Sequence, residues 1–493
     1  MNETTHTTAR KVLSGGVSLL ASQGISMVLF FLAQRLILSE LTKEQNGVLM
    51  SERRIVDLLM LAFVDFGMNS VVMRRAIDQP DRARAVLSSA AGLRLLLWLA
   101  SFMLVVGYSL LADVHMIHVV IWATYLLITA RTGLLRYNYE LSARSQLAFG
   151  APTIASVLDA ICFAALMWWQ QSELTPTVIM GSYLAASIPG FVMMVVVDRG
   201  RSIRWSWMEA AEMKTILREA LPVFVAFGLL NLHDKIDVVL LTWLSTEVQV
   251  GIYGAAYVTL SPLTGTIPLA ASMVMVPVIA RYAASDMARC ETFAVAGLRL
   301  LTASAAILSS VLTALAPLII WLISKNRYAD NVAEYVLFLW MPLPIFLLVY
   351  IQEVQVALGR QRRNLPIAIL LAGGSLLAGA VLIPLFEAQH LAAFGAISAR
   401  MIVTIAGAGV AVWVLRRVFP QRLQARTISA LLIVGVGSAA IAVGSAMYLS
   451  SVWASVVAGG CSVALVFGTR LLTWADVQTV YAVVRSRTAS QPA

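Results

Sequence analysis

The chain is poor in charge and in cysteine. Only 13% of its 493 residues are Asp, Glu, Lys or Arg, while apolar residues reach 59%, and the mean hydropathy is +0.82. A soluble globular domain carries about 25% charged residues, so water is excluded as the main solvent of this protein. The three cysteines, Cys162, Cys290 and Cys461, form no CxxC and no Cys/His cluster, which excludes a disulfide framework and the common zinc and redox motifs. No metal ligands and no cofactor are expected. There is also no Walker A loop, no HExxH, no GxSxG and no carboxylate pair in an aqueous loop, so no catalytic residue is assigned and the chain is not expected to be an enzyme. A net charge of +10 would suit nucleic acid, but the basic residues are scattered between apolar stretches. That is the signature of membrane topology, and no nucleic-acid partner is expected.

Long apolar runs are what the sequence has. They fall near 12–38, 47–73, 85–111, 116–138, 147–169, 175–197, 219–243, 251–280, 294–323, 333–357, 364–386, 391–415, 428–449 and 452–470. Runs of about 20 residues match helices that cross a bilayer, whereas barrel strands alternate over about ten. The fold class expected is all-α: a polytopic membrane protein of about 14 transmembrane helices, with two six-helix lobes around a central cavity plus two C-terminal helices.

Lysine and arginine test this count, because cytoplasmic connections concentrate them. They occur in the N-terminal tail (Arg10, Lys11) and after span two (Arg74, Arg75, Arg82, Arg84), span four (Arg131, Arg136, Arg144) and span six (Arg199, Arg201, Arg204, Lys214, Arg218). The series continues with Arg281 and Arg289, then Arg360, Arg362 and Arg363, then Arg416, Arg417, Arg422 and Arg426, and ends with Arg470, Arg485 and Arg487 in the tail. The opposite side has only Lys43, Lys325 and Arg327. Even connections and both termini are therefore expected in the cytoplasm. The polar N-terminus is followed by a long apolar run without a small-residue cleavage site, so the first span is expected to be retained.

The domain plan expected is an N-terminal lobe over 1–198 (spans 1–6), a cytoplasmic interfacial linker helix over 199–218 and a C-terminal lobe over 219–416 (spans 7–12). Spans 13–14 follow over 417–470, then a cytoplasmic amphipathic tail over 471–493. The segments 205–217 and 471–484 set tryptophan and aliphatic residues beside charge, as interfacial helices do. A shift of 204 residues superposes Gly24 on Gly228, Gln45 on Gln249 and Gly47 on Gly251. The two lobes then read as parallel repeats.

Ionisable residues inside the spans need a reason, since each costs about 2.5–3.5 kcal/mol at a helix centre. Arg94 and Arg299 lie near cytoplasmic ends and are expected to snorkel. Span two is the densest, with Glu52, Arg53, Arg54, Asp57 and Asp65 in SERRIVDLLMLAFVDFG. Asp57 is i+4 from Arg53 and i+3 from Arg54, so it offsets one of the two. Arg35 in span one is expected at a similar depth. Two readings stand: an arginine-lined aqueous cavity that attracts an anion such as a diphosphate, or a self-paired structural cluster at the membrane edge. Span seven carries NLHDKIDVVLL, where His233, Asp234 and Asp237 share a face and Lys235 points the other way. The group either couples transport to a proton or sodium gradient or bridges the two halves. Asp159 and Arg400 are isolated in sequence, and Glu353 lies near an interface.

Several segments resemble the polysaccharide transporters, the Wzx-type flippases of the multidrug/oligosaccharidyl-lipid/polysaccharide exporter (MOP) superfamily. They are DFGMNSVVMRR at 65–75, ALPVFVAFGLLNLHDKIDVVLL at 220–241 with its Pro222 and Asp237, GIYGAAYVTL at 251–260, the Pro277 to Arg281 exit and LGRQRR at 358–363. The likeness covers spans one to twelve. It implies alternating access by two six-helix lobes in a bacterial inner membrane, with an undecaprenyl-diphosphate-linked oligosaccharide flipped outward for O-antigen, capsule or exopolysaccharide assembly. Membrane lipids, and as candidate partners a polysaccharide polymerase and export machinery, follow from that resemblance. The substrate cavity would hold Arg35, Arg53, Arg54, Asp57 and Arg400, and ion coupling would use His233, Asp234, Lys235, Asp237 and Asp159. SERR at 51–54 departs from the apolar helix usual there, and spans thirteen and fourteen are similar to those of lipid II flippases. Rival readings are a cation-coupled multidrug exporter, whose usual span-one acidic residue is replaced here by Arg35, and a membrane polymerase or glycosyltransferase, which would need a large external loop.

Overall fold

The computed structural model describes residues 24–61, 68–112, 114–141, 145–199 and 203–479. Among them all regular structure is helical, and nine helices are long and apolar enough to cross a membrane. A tenth span comes from Ala210–Leu244, which bends by 51° between Val225 and Gly228. The other expected spans are helical wherever they are described: residues 24–40, Lys43–Val56 with Met68–Asp78, Ser145–Trp169 and Glu247–Ser285. The chain is a polytopic all-α membrane protein. Large side chains such as Leu111, Trp169 and Tyr448 stand more than 80% exposed, a surface that only lipid can cover at acceptable cost. The stretches 12–23 and 480–493 and the Asp65-Phe66-Gly67 motif lie outside the described residues.

In chain order, α1 covers 24–40, α2 Lys43–Val56, α3 Met68–Asp78, α4 Ala83–Ala112, α5 Met116–Leu141, α6 Ser145–Trp169, α7 Pro176–Asp198, α8 Ala210–Leu244 and α9 Glu247–Ser285. Then come α10 Met287–Ala314, α11 Ala316–Ser324, α12 Val332–Leu339, α13 Pro342–Ala357, α14 Asn364–Glu387, α15 Ala392–Arg416, α16 Ala425–Tyr448 and α17 Ser451–Gly468. The chain divides into two compact units at Gly254/Ala255.

Three details differ from the even pattern of the sequence. The run 294–323 is broken at Leu315 into α10 and α11, and Pro317 sits in the first turn of α11, where its missing N–H costs nothing. The run 333–357 breaks before Pro342 for the same reason. The segment expected as an interfacial helix opens with a short turn, Trp205–Trp207, and from Ala210 it is the first part of α8, which continues past its bend into the seventh span.

In the first unit one apolar core joins α1, α2, α5, α6 and α7 through residues such as Ile37, Val56, Trp122, Phe163 and Ile179. A second, around Val72, Leu87 and Ile216, packs α3, α4 and α8. In the second unit Ala306, Val434 and Val466 knit α10, α16 and α17, and Leu471 and Leu472 carry the start of the tail onto that core. Arg299 donates to Thr427 at 3.1 Å and to Asp476 at 3.4 Å. Arg94 is buried and donates to the Ala130 carbonyl at 2.9 Å. Both arginines bond to groups of the protein.

The Gln-x-Gly repeat has a structural cause. Thr42 caps α2 with a reciprocal box, accepting from the Gln45 N–H at 3.1 Å while the Gln45 side chain accepts from the Thr42 N–H at 3.1 Å. Thr246 holds the equivalent place before α9. Two residues past each glutamine comes a glycine, and there the two helices touch. A Cβ on Gly47 would lie 1.9 Å from the Glu247 carbonyl oxygen, and one on Gly251 would lie 1.8 Å from that of Lys43. Lys43 and Glu247 are themselves related by the 204-residue shift, so the crossing has a local two-fold pattern. The Asn46 amide donates to the Gly251 carbonyl at 2.8 Å and locks it.

Candidate functional site

Consecutive residues of a helix point about 100° apart, so the charged run on α2 is distributed to different neighbours. Helix α2 continues past Val56 as a π-helical stretch, Asp57–Leu61, a wide turn often found at functional sites. Glu52 faces the start of α5: its Oε1 accepts from the His115 N–H at 3.2 Å and lies 2.9 Å from His115 Nδ1, and its Oε2 meets His118 Nδ1. Arg53 enters a corner built by two perpendicular rings, with its guanidinium carbon 4.6 Å from the Trp122 centroid and 5.1 Å from that of Tyr183. Such a corner favours a cation. Arg54 turns to α8, with Nη1 3.7 Å from Asp234 Oδ2.

Asp57 does not serve both arginines. It lies 4.0 Å from Arg53 Nε and accepts from Trp122 Nε1 at 2.8 Å. At 4.0 and 3.7 Å the two arginine pairs are ionic but too long for charge-assisted hydrogen bonds, which run about 2.7–2.9 Å. Arg53 Nε is buried with no hydrogen-bond partner among the described residues, although its side chain is 28% exposed. A buried guanidinium N–H without an acceptor is costly. Tyr125, Phe163 and Gln34 complete the wall: Tyr125 lies 4.6 Å from Trp122 by ring centroids, Phe163 stacks on Tyr183 at 4.1 Å, and Gln34 donates to the Tyr183 hydroxyl at 2.9 Å.

The other candidates separate. Lys235 is directed to its neighbour, with Nζ 3.1 Å from Asp234 Oδ2, so Asp234 draws Arg54 and Lys235 together rather than facing away from the lysine. Asp237 is buried, accepts from the Val238 N–H at 2.9 Å and from the Tyr253 hydroxyl, and thus ties α8 to α9. His233 is buried on the same helix. Asp159 on α6 accepts from the Gly190 N–H at 2.9 Å, one residue past Pro189 within α7. That carboxylate supports the backbone where a proline interrupts the helical ladder. Arg35 is half-buried on α1. Arg400 belongs to the second unit, buried on α15 with its guanidinium 5.4 Å from the Tyr257 ring centroid.

At the opposite end of α8 lies an ion-pair cluster that explains the basic close of the span-two motif. Arg75 donates to Glu212 at 2.7 Å and to Glu219 at 2.8 Å, Arg74 donates to Glu219 at 2.7 Å, and Arg82 pairs with Glu209. Glu212 is buried, and its hydrogen bond holds the Arg75 pKa above the usual arginine value. At the end carrying the Gly47/Gly251 crossing, burial, helped by the Glu44 and Glu52 charges, raises the Glu247 pKa.

Sequence reasoning missed Glu52 with His115 and His118 as a group, and it missed the aromatic corner. The signal for the first was His-x-x-His at 115–118, one helical turn at the mouth of a span. The corner had no local signal, because its parts come from three helices.

The helices define a polytopic all-α membrane protein whose fold is that of solved MOP superfamily transporters. A structure described as lipid II flippase MurJ, inward closed conformation, matches with a TM-score of 0.66 at 11% identity, over 92% of this chain and 99% of that one. An inward-facing multidrug resistance MATE family transporter of the MOP superfamily matches with 0.59 at 13% identity, over 82% and 99%. A MOP superfamily transporter from Pyrococcus furiosus, described as having a binding pocket of reverse polarity, matches with 0.52 at 15% identity, over 82% and 95%. A comparison with curated protein sequences finds no match. The chain belongs to the family described as polysaccharide biosynthesis protein, whose profile matches residues 9–283.

Proposed function

We propose that this protein flips an undecaprenyl-diphosphate-linked oligosaccharide across a bacterial inner membrane, from the cytoplasmic to the outer leaflet, by alternating access, with both termini in the cytoplasm. The product would feed O-antigen, capsule or exopolysaccharide assembly. The observation that carries this reading is Arg53: a guanidinium in an aromatic corner, partly exposed, with a buried N–H lacking an acceptor. Phosphate oxygens match that fork. Arg54, Asp57 and Lys235 complete this site, and Arg35 lies in the same unit. Membership of a polysaccharide biosynthesis family supports a glycan substrate.

Coupling to an ion gradient is assigned to Asp234 and Asp237, with His233 as a further ionisable group; Asp159 instead supports the α7 backbone at Gly190. The test is charge reversal in cells lacking the native copy. Arg53→Glu and the double variant with Arg54→Glu should stop glycan export at normal membrane levels, with lipid-linked sugar accumulating on the cytoplasmic leaflet. Arg53→Lys should export poorly, because a lysine keeps the charge and loses the planar fork. Normal export by the double variant sinks the anion site. Absence of any accumulated lipid-linked sugar when the protein is removed sinks the flippase reading in favour of a cation-coupled small-molecule exporter.

A further inference from the structure

Glu52 is spent on neither the arginines nor the aromatic corner. Its two oxygens are bracketed by imidazoles: His115, immediately before α5, and His118, in the first turn of α5. One ligand atom from each of the three residues lies within 4.8 Å of the others. The rings are tilted 39° with centroids 5.1 Å apart, so both Nδ1 atoms converge on the carboxylate. The far side of His118 is fixed as well, since its Nε2 lies 2.6 Å from the Thr177 hydroxyl of α7. A histidine that ligates a metal through one nitrogen nearly always has the other held by an oxygen partner, which sets the tautomer and aims the ring. Here Thr177 fills that place.

We propose that Glu52, His115 and His118 form a divalent transition-metal site, with zinc or a metal of similar preference as its ligand. Two imidazoles and one carboxylate are the donor set of open zinc sites, which keep a further position for water. Bonds of about 2.0–2.1 Å set tetrahedral ligands roughly 3.3 Å apart. The 2.9 Å between His115 Nδ1 and Glu52 Oε1 reaches that with a small ring rotation. Entry is open, because the His115 side chain is 66% exposed while Glu52 and His118 are buried behind it. The ion would pin α2, α5 and α7 together and offset the Glu52 charge one residue from Arg53. The proposal does not depend on which substrate the arginines bind.

The test uses the full-length, untagged protein in detergent, stripped with chelator and titrated with cobalt(II), which absorbs visibly in a site of this kind. One cobalt per chain, displaced by zinc, is the expected result. Glu52→Gln and His118→Gln should abolish the band. His115→Gln, at an exposed side chain where folding is safe, should weaken cobalt binding by tenfold or more, and Thr177→Val by roughly tenfold through the lost ring support. His390→Gln should leave binding unchanged. A wild-type protein with no cobalt band overturns the proposal and makes the triad a shared-proton cluster. Binding that His115→Gln and Thr177→Val leave untouched overturns it too, by placing the ion elsewhere.

Discussion

Replacing Gly47 or Gly251 by alanine tests whether the α2/α9 crossing is as close as it is described. The added methyl at Gly251 would sit 1.8 Å from the Lys43 oxygen, whereas the closest comfortable carbon–oxygen contact is about 3.3 Å. The helices must therefore part by roughly 1.5 Å. Overpacking of this kind costs about 1–3 kcal/mol, and the better helix propensity of alanine returns at most about 1 kcal/mol. Each single variant is expected to lose about 1–2 kcal/mol on that basis. The decisive quantity is the double variant. Gly47 faces the helix that carries Gly251 and the reverse, so one separation clears both clashes. The pair should then cost little more than either alone, a coupling of about 1–2 kcal/mol. Unfolding in mixed micelles followed by tryptophan fluorescence reads all three variants, with Gly107→Ala as control because nothing lies within 4 Å of a Cβ there. Additive losses, or singles as harmless as Gly107→Ala, would refute the reasoning.

Further expectations follow from the ion pairs and bonds. Arg75→Ala leaves buried Glu212 without its hydrogen-bond partner and, among the described residues, with only Arg82 at 3.9 Å, and should cost about 3 kcal/mol, seen as lost monodisperse yield, with Glu212→Gln partly restoring it. Trp122→Phe removes the donor to Asp57 and should destabilise by about 1–3 kcal/mol, read as a lower thermal midpoint. Asp159→Asn keeps an acceptor for the Gly190 N–H and should leave transport and its ion dependence intact, while Asp159→Leu should impair both; loss of ion dependence in Asp159→Asn would return this carboxylate to ion coupling. The raised Glu247 pKa means that protonation favours the fold, so this group stabilises below the ordinary carboxylate range and loses that effect as pH rises through its folded value. Glu247→Gln should accordingly raise the thermal midpoint at neutral pH and change nothing in acid, and a lowered midpoint at neutral pH would contradict it.

What was legible in the sequence was periodic or local. Apolar length placed the spans, and the repeat pairing Gly47 with Gly251 turned out to name two residues whose helices touch. Pro317 and Pro342 marked breaks that uniform hydropathy concealed. The pairing of Arg53 with Asp57 was legible as i,i+4 spacing, but the other destinations of the α2 charges were not, because Glu52, Arg53 and Arg54 also find partners from 63 to 180 residues away in sequence. Which helix lies beside which residue is decided by packing, and a helical wheel of α2 gives only the directions. Lys235 shows the limit: its helical position points it away from Asp234, yet a long flexible side chain folds back to a neighbouring carboxylate when the surroundings are apolar.

Helix α8 is pinned on both sides of its bend. At one end Arg74 and Arg75 grip Glu212 and Glu219 with bonds of 2.7–2.8 Å; at the other, Asp234 faces Arg54 at 3.7 Å and Asp237 is held by Tyr253. A beam held at two points with a joint between them can neither slide nor roll as a rigid rod. The joint between the two grips is the 51° bend, a few residues after Pro222. The two grips differ in kind: at one end two arginines hold two carboxylates, and at the other Asp234 meets Arg54 and Lys235 while Asp237 meets Tyr253. A change in the angle at the joint therefore moves the charged pairs near Arg54 relative to the basic end of the same helix.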